Sequence, residues 1–88
     1  MIGEIDPVAR LYTQSAYKSY YNAKYTEALI KLKKSNEFYK RWSLNTMLFA
    51  KTYFELGLYN DSFVLYSRAI FYGSKADIIF ENKLKKKF

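Results

Sequence analysis

Residues 50–70 read AKTYFELGLYNDSFVLYSRAI, and this stretch decides the fold. Apolar residues recur at spacings of three and four on both sides of Gly57, which is the period of an amphipathic α-helix. Glycine is typical of the position where a helix ends, and Asn60 can cap the helix that follows. The stretch therefore predicts two helices joined by a short turn, and such helices are antiparallel neighbours.

The same pattern occurs 34 residues earlier in the chain. Ala16 matches Ala50, and Tyr25 matches Tyr59, so small residues align with small ones and aromatic residues with aromatic ones. Self-similarity at one fixed offset indicates a repeat array, so we expect two copies of one helical hairpin. The other matched pairs are Ala23 with Gly57, Ala28 with Ser62, Leu32 with Tyr66, and Ser35 with Ala69.

Start and stop signals predict five helices. Asp6 is expected to cap the first helix, because Pro7 behind it suits the first helical position. Thr26 and Asn60 are the expected caps of the second and fourth helices, and a capping box of Ser74 and Asp77 is expected to open the fifth. The predicted helices cover residues 7–21, 26–39, 43–56, 60–73 and the chain from 74 to the C-terminus.

Residues 50–70 resemble a tetratricopeptide repeat. In that family, small and aromatic residues alternate along the two helices and a glycine marks the turn. The resemblance implies an all-α fold in which antiparallel hairpins stack as a short right-handed superhelix, within a single domain at residues 1–88. Repeat one would span residues 9–42, repeat two residues 43–76, and a capping helix residues 77–88. The residues that fill the packing places are Ala16, Ala23, Tyr25 and Ala28 in the first copy, and Ala50, Tyr53, Gly57, Tyr59, Ser62, Tyr66 and Ala69 in the second.

The resemblance also implies a function, because the family binds proteins or peptides on the concave surface formed mainly by the first helix of each repeat. Helical geometry places a stripe of side chains beside the packing residues of the first helix. Adding 34 and 68 to their residue numbers gives the equivalent positions on the third and fifth helices. Such a surface suits a partner segment with apolar anchors and some acidic residues. The predicted partner-binding residues are Arg10, Thr13, Tyr17, Tyr20, Leu44, Met47, Lys51, Phe54 and Lys85. The alternative is that Leu44, Met47 and Phe54 pack in the core or against another copy of the chain.

The chain is basic, with 15 Lys and Arg against 8 Asp and Glu, a net charge of +7. Clusters of lysine near the ends of the second and fifth helices can be solvated faces that complement the helix dipole. A nucleic-acid site is the other interpretation, because Tyr17, Tyr20 and Tyr21 lie beside Lys18 and Lys24, and aromatic rings beside cations can stack on bases.

Histidine and cysteine are absent, which excludes thiolate nucleophiles, imidazole bases, disulfides and the usual zinc ligands. The carboxylates show no spacing of a catalytic dyad, and there is no glycine-rich phosphate loop. We therefore expect no enzyme activity, no metal and no cofactor. The chain also lacks a signal-peptide pattern and a long uncharged apolar stretch, so we expect no membrane span and a cytoplasmic location.

Together these patterns predict a noncatalytic protein-protein interaction module. The first alternative is a self-assembling structural subunit or a fragment of a longer repeat array, because stacked repeats generally need about three units for stability and two are visible. The second alternative is a basic helical domain that binds nucleic acid.

Overall fold

The computed structural model describes residues 5–88, and this part of the chain forms five helices and no strand. The predicted all-α class is confirmed. The helices are α1 (Pro7–Tyr21), α2 (Tyr25–Phe38), α3 (Ser43–Glu55), α4 (Tyr59–Phe71) and α5 (Ile78–Lys85).

The helices pair as two hairpins that stack side by side. α1 packs against α2 and α3 packs against α4, while α3 also lies on α2 and α5 lies on α4. The pairing is antiparallel, because Tyr12 of α1 stacks on Phe38 near the end of α2, and Ser19 of α1 hydrogen-bonds Glu27 near its start. The stack is elongated, with extents of 40 × 26 × 17 Å.

The turn within each hairpin is the same Schellman motif at the same 34-residue offset. Ala23 and Gly57 both have left-handed backbones, with φ of 59° and 79°. In the first turn the Lys24 amide donates to the Ser19 carbonyl at 2.8 Å, and in the second the Leu58 amide donates to the Tyr53 carbonyl at 2.9 Å. These bonds satisfy carbonyls that the helix end would otherwise leave unpaired. The matching of Ala23 with Gly57 is therefore a match of backbone conformation.

The expected caps of α2 and α4 are wrong. Thr26 and Asn60 lie inside these helices, and the N-cap positions are Lys24 and Leu58, neither of which makes a side-chain capping bond. The reason is that the residue closing each Schellman motif is also the N-cap of the next helix. The turn and the next helix share this position, so no separate polar residue stands between them to serve as a cap.

The N-caps of α1 and α5 are aspartates whose carboxylates accept hydrogen bonds from backbone amides. Asp6 accepts from the amides of Val8 and Ala9, as predicted. Asp77, and not Ser74, is the N-cap of α5, where its carboxylate accepts from the Phe80 amide at 3.0 Å. Ser74 instead closes a third Schellman motif, in which its amide donates to the carbonyl of Ala69. The fifth helix therefore begins later than the capping box predicted.

Two small apolar clusters replace a single central core. Each one sets a buried alanine of a first helix beside a large residue of a second helix: Ala16 with Leu32, and Ala50 with Tyr66. The pairs are 34 residues apart, so the packing repeats as the sequence does. The other predicted packing residues divide into buried Ala28, Ser62 and Ala69, half-buried Tyr25, Tyr53 and Tyr59, and the exposed turn residues Ala23 and Gly57.

Candidate functional site

A shallow depression of about 220 Å³ is lined by residues of α1, α3 and α5. We call it the α1/α3/α5 groove. Three of the residues predicted to contact a partner, Tyr20, Lys51 and Phe54, line it together. The full lining is Tyr20, Lys51, Phe54, Glu55, Asp77, Ile79, Phe80 and Lys83.

Lys51 forms an ion pair within the protein. Its Nζ lies 2.8 Å from Oδ2 of Asp77 and 5.9 Å from the centre of the Phe80 ring. The hydrogen bond from Lys51 and the backbone amide of Phe80 hold the pKa of Asp77 below its ordinary value. Lys51 therefore positions the start of α5, and its charge is already balanced within the groove.

Phe54 also belongs mostly to the interior. Its ring packs edge-on against Phe80 at 5.5 Å and lies 5.3 Å from the ring of Tyr59. Met47 packs against the same cluster. Of the two interpretations left open by the sequence, the structure supports internal packing for Met47 and Phe54, and Phe54 also remains partly exposed in the groove. Leu44 is exposed and lies outside both clusters.

The prediction that Thr13 faces a partner is wrong. Its side chain is 1% exposed and lies between three helices. The hydroxyl donates to Oδ1 of Asn45 at 2.7 Å and lies 2.7 Å from Oγ of Ser35. A signal for this junction is present in the sequence, because Asn45 stands among apolar residues of a helix and a buried amide needs polar partners.

Lys85 does not line the groove with the other predicted contacts, because α5 has a different rotation from the one that the 68-residue offset predicts. Phe80 and Leu84 are the buried residues of α5, and this pair turns Ile79 and Lys83 toward the groove. Lys85 lies on the other side of α5, where its Nζ is 3.2 Å from Oε2 of Glu81. Ile79, Lys83 and Glu55 were missed by the sequence prediction. The four-residue spacing of Phe80 and Leu84 was the signal that could have placed the first two.

Tyrosines form one wall beside the groove. The Tyr20 ring lies 5.5 Å from the rings of both Tyr21 and Tyr25, and Tyr17 stacks on Tyr21 at 6.2 Å. Burial, followed by the negative charge of Glu55, raises the pKa of Tyr20 to about 12. The Tyr20 hydroxyl therefore stays protonated at neutral pH and is available as a hydrogen-bond donor. Arg10, the remaining predicted contact, is exposed and lies outside the groove lining.

A second and larger cavity, of about 580 Å³, lies between α4 and α5. We call it the α4–α5 cleft. Two of its apolar side chains, Phe63 and Phe88, are 52% and 67% exposed, with ring centres 5.9 Å apart. The lining consists of Phe63, Tyr66, Ser67, Glu81, Leu84, Lys85 and Phe88. The cleft thus leaves aromatic surface open at the C-terminal end of the stack.

Comparisons of the chain with protein-family models, curated proteins and solved structures found no match. Between residues 5 and 88, no helix is both long and apolar enough to cross a membrane. In that same range, no group of three metal-ligating side chains comes together.

Proposed function

We propose that this chain is a noncatalytic, tetratricopeptide-like interaction module that binds a short segment of a partner protein in the α1/α3/α5 groove. The observation that carries the proposal is the convergence of Tyr20, Phe54 and Ile79, from α1, α3 and α5, on one depression. The 34-residue recurrence of turns and of core pairs supports the likeness to the tetratricopeptide family. A preformed groove of this kind lowers the ordering cost of binding.

The charge of the groove is balanced. Lys51 and Lys83 face Glu55 and Asp77 across it, and the first of these cations is already paired. Apolar contacts are therefore the main source of affinity. Ile79 is 74% exposed, and covering such a side chain contributes about 1–2 kcal/mol to binding.

Selection of peptides from a displayed library tests the proposal. We expect the wild-type chain to select apolar peptides, and Ile79→Glu to weaken their binding about tenfold or more. Ile30→Glu is the matched control, since Ile30 is also exposed but lies on α2, away from the groove. Far-ultraviolet circular dichroism verifies that both variants stay helical. Equal binding of the selected peptides by wild type and Ile79→Glu would place the site elsewhere and contradict the proposal.

Self-association through the α4–α5 cleft is the second candidate function. It is favoured by the exposed rings of Phe63 and Phe88, which a second copy of the chain could cover in a symmetric contact. Sedimentation over a hundredfold range of concentration measures it, with Phe63→Glu expected to give a monomer. Phe71→Glu is the control, because Phe71 is exposed but lies outside the cleft. A wild-type chain that is monomeric at every concentration would contradict this function.

A further inference from the structure

A third depression, of about 250 Å³, lies on another side of the stack, between the C-terminal end of α2, the start of α3 and the end of α4. We call it the basic cleft. It is lined by Asn36, Lys40, Arg41, Thr46, Phe49, Leu65, Arg68 and Tyr72.

The basic cleft carries uncompensated charge. Lys40, Arg41 and Arg68 are all exposed, and its lining contains no carboxylate. Within residues 5–88, the ion pairs join Lys31 to Glu27, Lys34 to Glu37, Lys51 to Asp77 and Lys85 to Glu81, so none of them involves these three cations. This differs from the α1/α3/α5 groove, where cations and carboxylates balance. A negatively charged ligand is therefore attracted to this cleft more than to the groove.

The floor of the cleft is apolar. Phe49 belongs to the first core cluster, and Leu65 packs against that cluster while remaining partly exposed. The hydroxyl of Thr46 donates to the Trp42 carbonyl at 2.9 Å, so it already has a partner within the chain. An apolar floor with a cationic rim fits a ligand that has an apolar side chain flanked by negative charges.

The basic cleft and the groove lie on opposite sides of α3. Thr46 and Phe49 face the cleft, whereas Lys51, Phe54 and Glu55 face the groove. At about 100° per residue, the mean directions of the two sets differ by roughly 160° around the helix axis. The two surfaces can therefore be occupied at the same time.

We propose that the basic cleft binds an acidic segment of a second protein, in which an apolar side chain lies between carboxylates. Charge complementarity selects the acidic residues, since arginine and carboxylate form paired hydrogen bonds of matching geometry. A nucleic acid fits less well, because the three cations are confined to one cleft, in which Phe49 is buried and Tyr72 is the single partly exposed ring on which a base could stack.

The proposal is tested with a synthetic peptide that has a central leucine between runs of glutamate. Calorimetry and amide shifts in nuclear magnetic resonance measure its binding. At near-physiological salt we expect Arg68→Gln to weaken binding about fivefold. Lys33→Gln is the matched control: it removes the same charge from an exposed position on α2 outside the cleft, and we expect a change of less than about twofold because distant charges are screened.

Arg41→Gly separates binding from folding. Arg41 has a left-handed backbone, with φ of 59°, that glycine adopts more readily than arginine. We expect this variant to unfold at a higher temperature than wild type and yet to bind the acidic peptide about fivefold more weakly. If Arg41 had only a structural role, affinity would not fall while stability rises.

Four outcomes would overturn the proposal. They are equal binding of a peptide with glutamine in place of glutamate, the absence of binding, shifted amides that map to the α1/α3/α5 groove, and tighter binding of a single-stranded oligonucleotide than of the peptide. The last would make nucleic acid the ligand of this cleft.

Discussion

The hydroxyl of Thr13 donates a 2.7 Å hydrogen bond to Oδ1 of Asn45, which lies 32 residues further along the chain. Asn45 in turn donates from Nδ2 to the carbonyl of Leu32, and Ser35 donates to the carbonyl of Ala9. This buried network joins α1, α2 and α3. Apolar contacts tolerate small sliding movements, whereas these hydrogen bonds require one register, so the network fixes how the second hairpin sits on the first.

We predict that Thr13→Val destabilises the fold by about 1–3 kcal/mol, because it removes the donor to the buried Oδ1 of Asn45 without changing the side-chain volume much. Thr52→Val is the matched control, since Thr52 is equally buried but bonds only the Leu48 carbonyl of its own helix. Urea unfolding followed by circular dichroism measures both variants. Equal losses of stability would show that the network contributes nothing beyond a local bond.

The two left-handed turn residues give predictions of opposite sign. Ala23→Gly is expected to stabilise the chain by about 0.5–1 kcal/mol, because alanine resists a positive φ and glycine does not. Gly57→Ala is expected to cost about 1 kcal/mol, and this cost is conformational because an added Cβ would meet no atom within 4 Å. Thermal unfolding is the measurement. A lower Tm for Ala23→Gly would contradict the argument.

Asp77 makes the stability of the chain depend on acid pH. Its pKa is lowered in the folded state, so its contribution is complete above the ordinary value of about 4 and is lost as the pH falls through the lowered pKa. We expect Asp77→Asn, which retains a capping side chain, to cost about 0.5–1 kcal/mol at neutral pH. The difference from wild type should shrink below about pH 4.

Denaturant unfolding at several pH values measures the effect of Asp77→Asn. The control is Glu37→Gln, because the ion pair of Glu37 with Lys34 is well exposed and contributes little. A difference between Asp77→Asn and wild type that stays constant from neutral to acid pH would rule out the Lys51–Asp77 pair as its cause.

Tyr20 gives the corresponding prediction at alkaline pH. Its pKa is raised to about 12, so the stability that depends on the neutral phenol is complete below its ordinary value of about 10 and is lost as the pH rises toward 12. We expect Tyr20→Phe to lose less stability than wild type between these limits. Tyr21→Phe serves as the control, since Tyr21 is 77% exposed in the folded chain. Parallel losses in wild type and Tyr20→Phe would refute the prediction.

The hairpins could be predicted because small and aromatic residues recur at one offset, and local signals such as Asp6 and Gly57 mark helix ends directly. The left-handed backbone at Ala23 carries no such signal, since alanine has no preference for it, and only the match with Gly57 indicates it. The caps expected at Thr26 and Asn60 were wrong because residue type alone does not show that each turn also supplies the next N-cap.

The candidate site was predicted in part. Tyr20, Lys51 and Phe54 meet as the offset indicates, because α1 and α3 occupy equivalent positions in the two hairpins. Lys85 was misplaced because the rotation of α5 is set by what Phe80 and Leu84 can bury, which is a property of packing rather than of spacing. The burial of Thr13 likewise depends on Asn45 from the next hairpin, a contact that local periodicity does not contain.

The docking of α5 links the groove to folding. An isolated helix needs about 12–15 residues to persist in water, and α5 has 8, so it is helical only while Phe80, Leu84 and Asp77 hold it in place. When α5 detaches, Asp77, Ile79, Phe80 and Lys83 leave the groove together. The groove therefore exists only in the fraction of molecules whose last helix is folded. A ligand that contacts α5 stabilises the folded form of that helix, and the stabilisation equals the free energy that the α5 contacts contribute to binding.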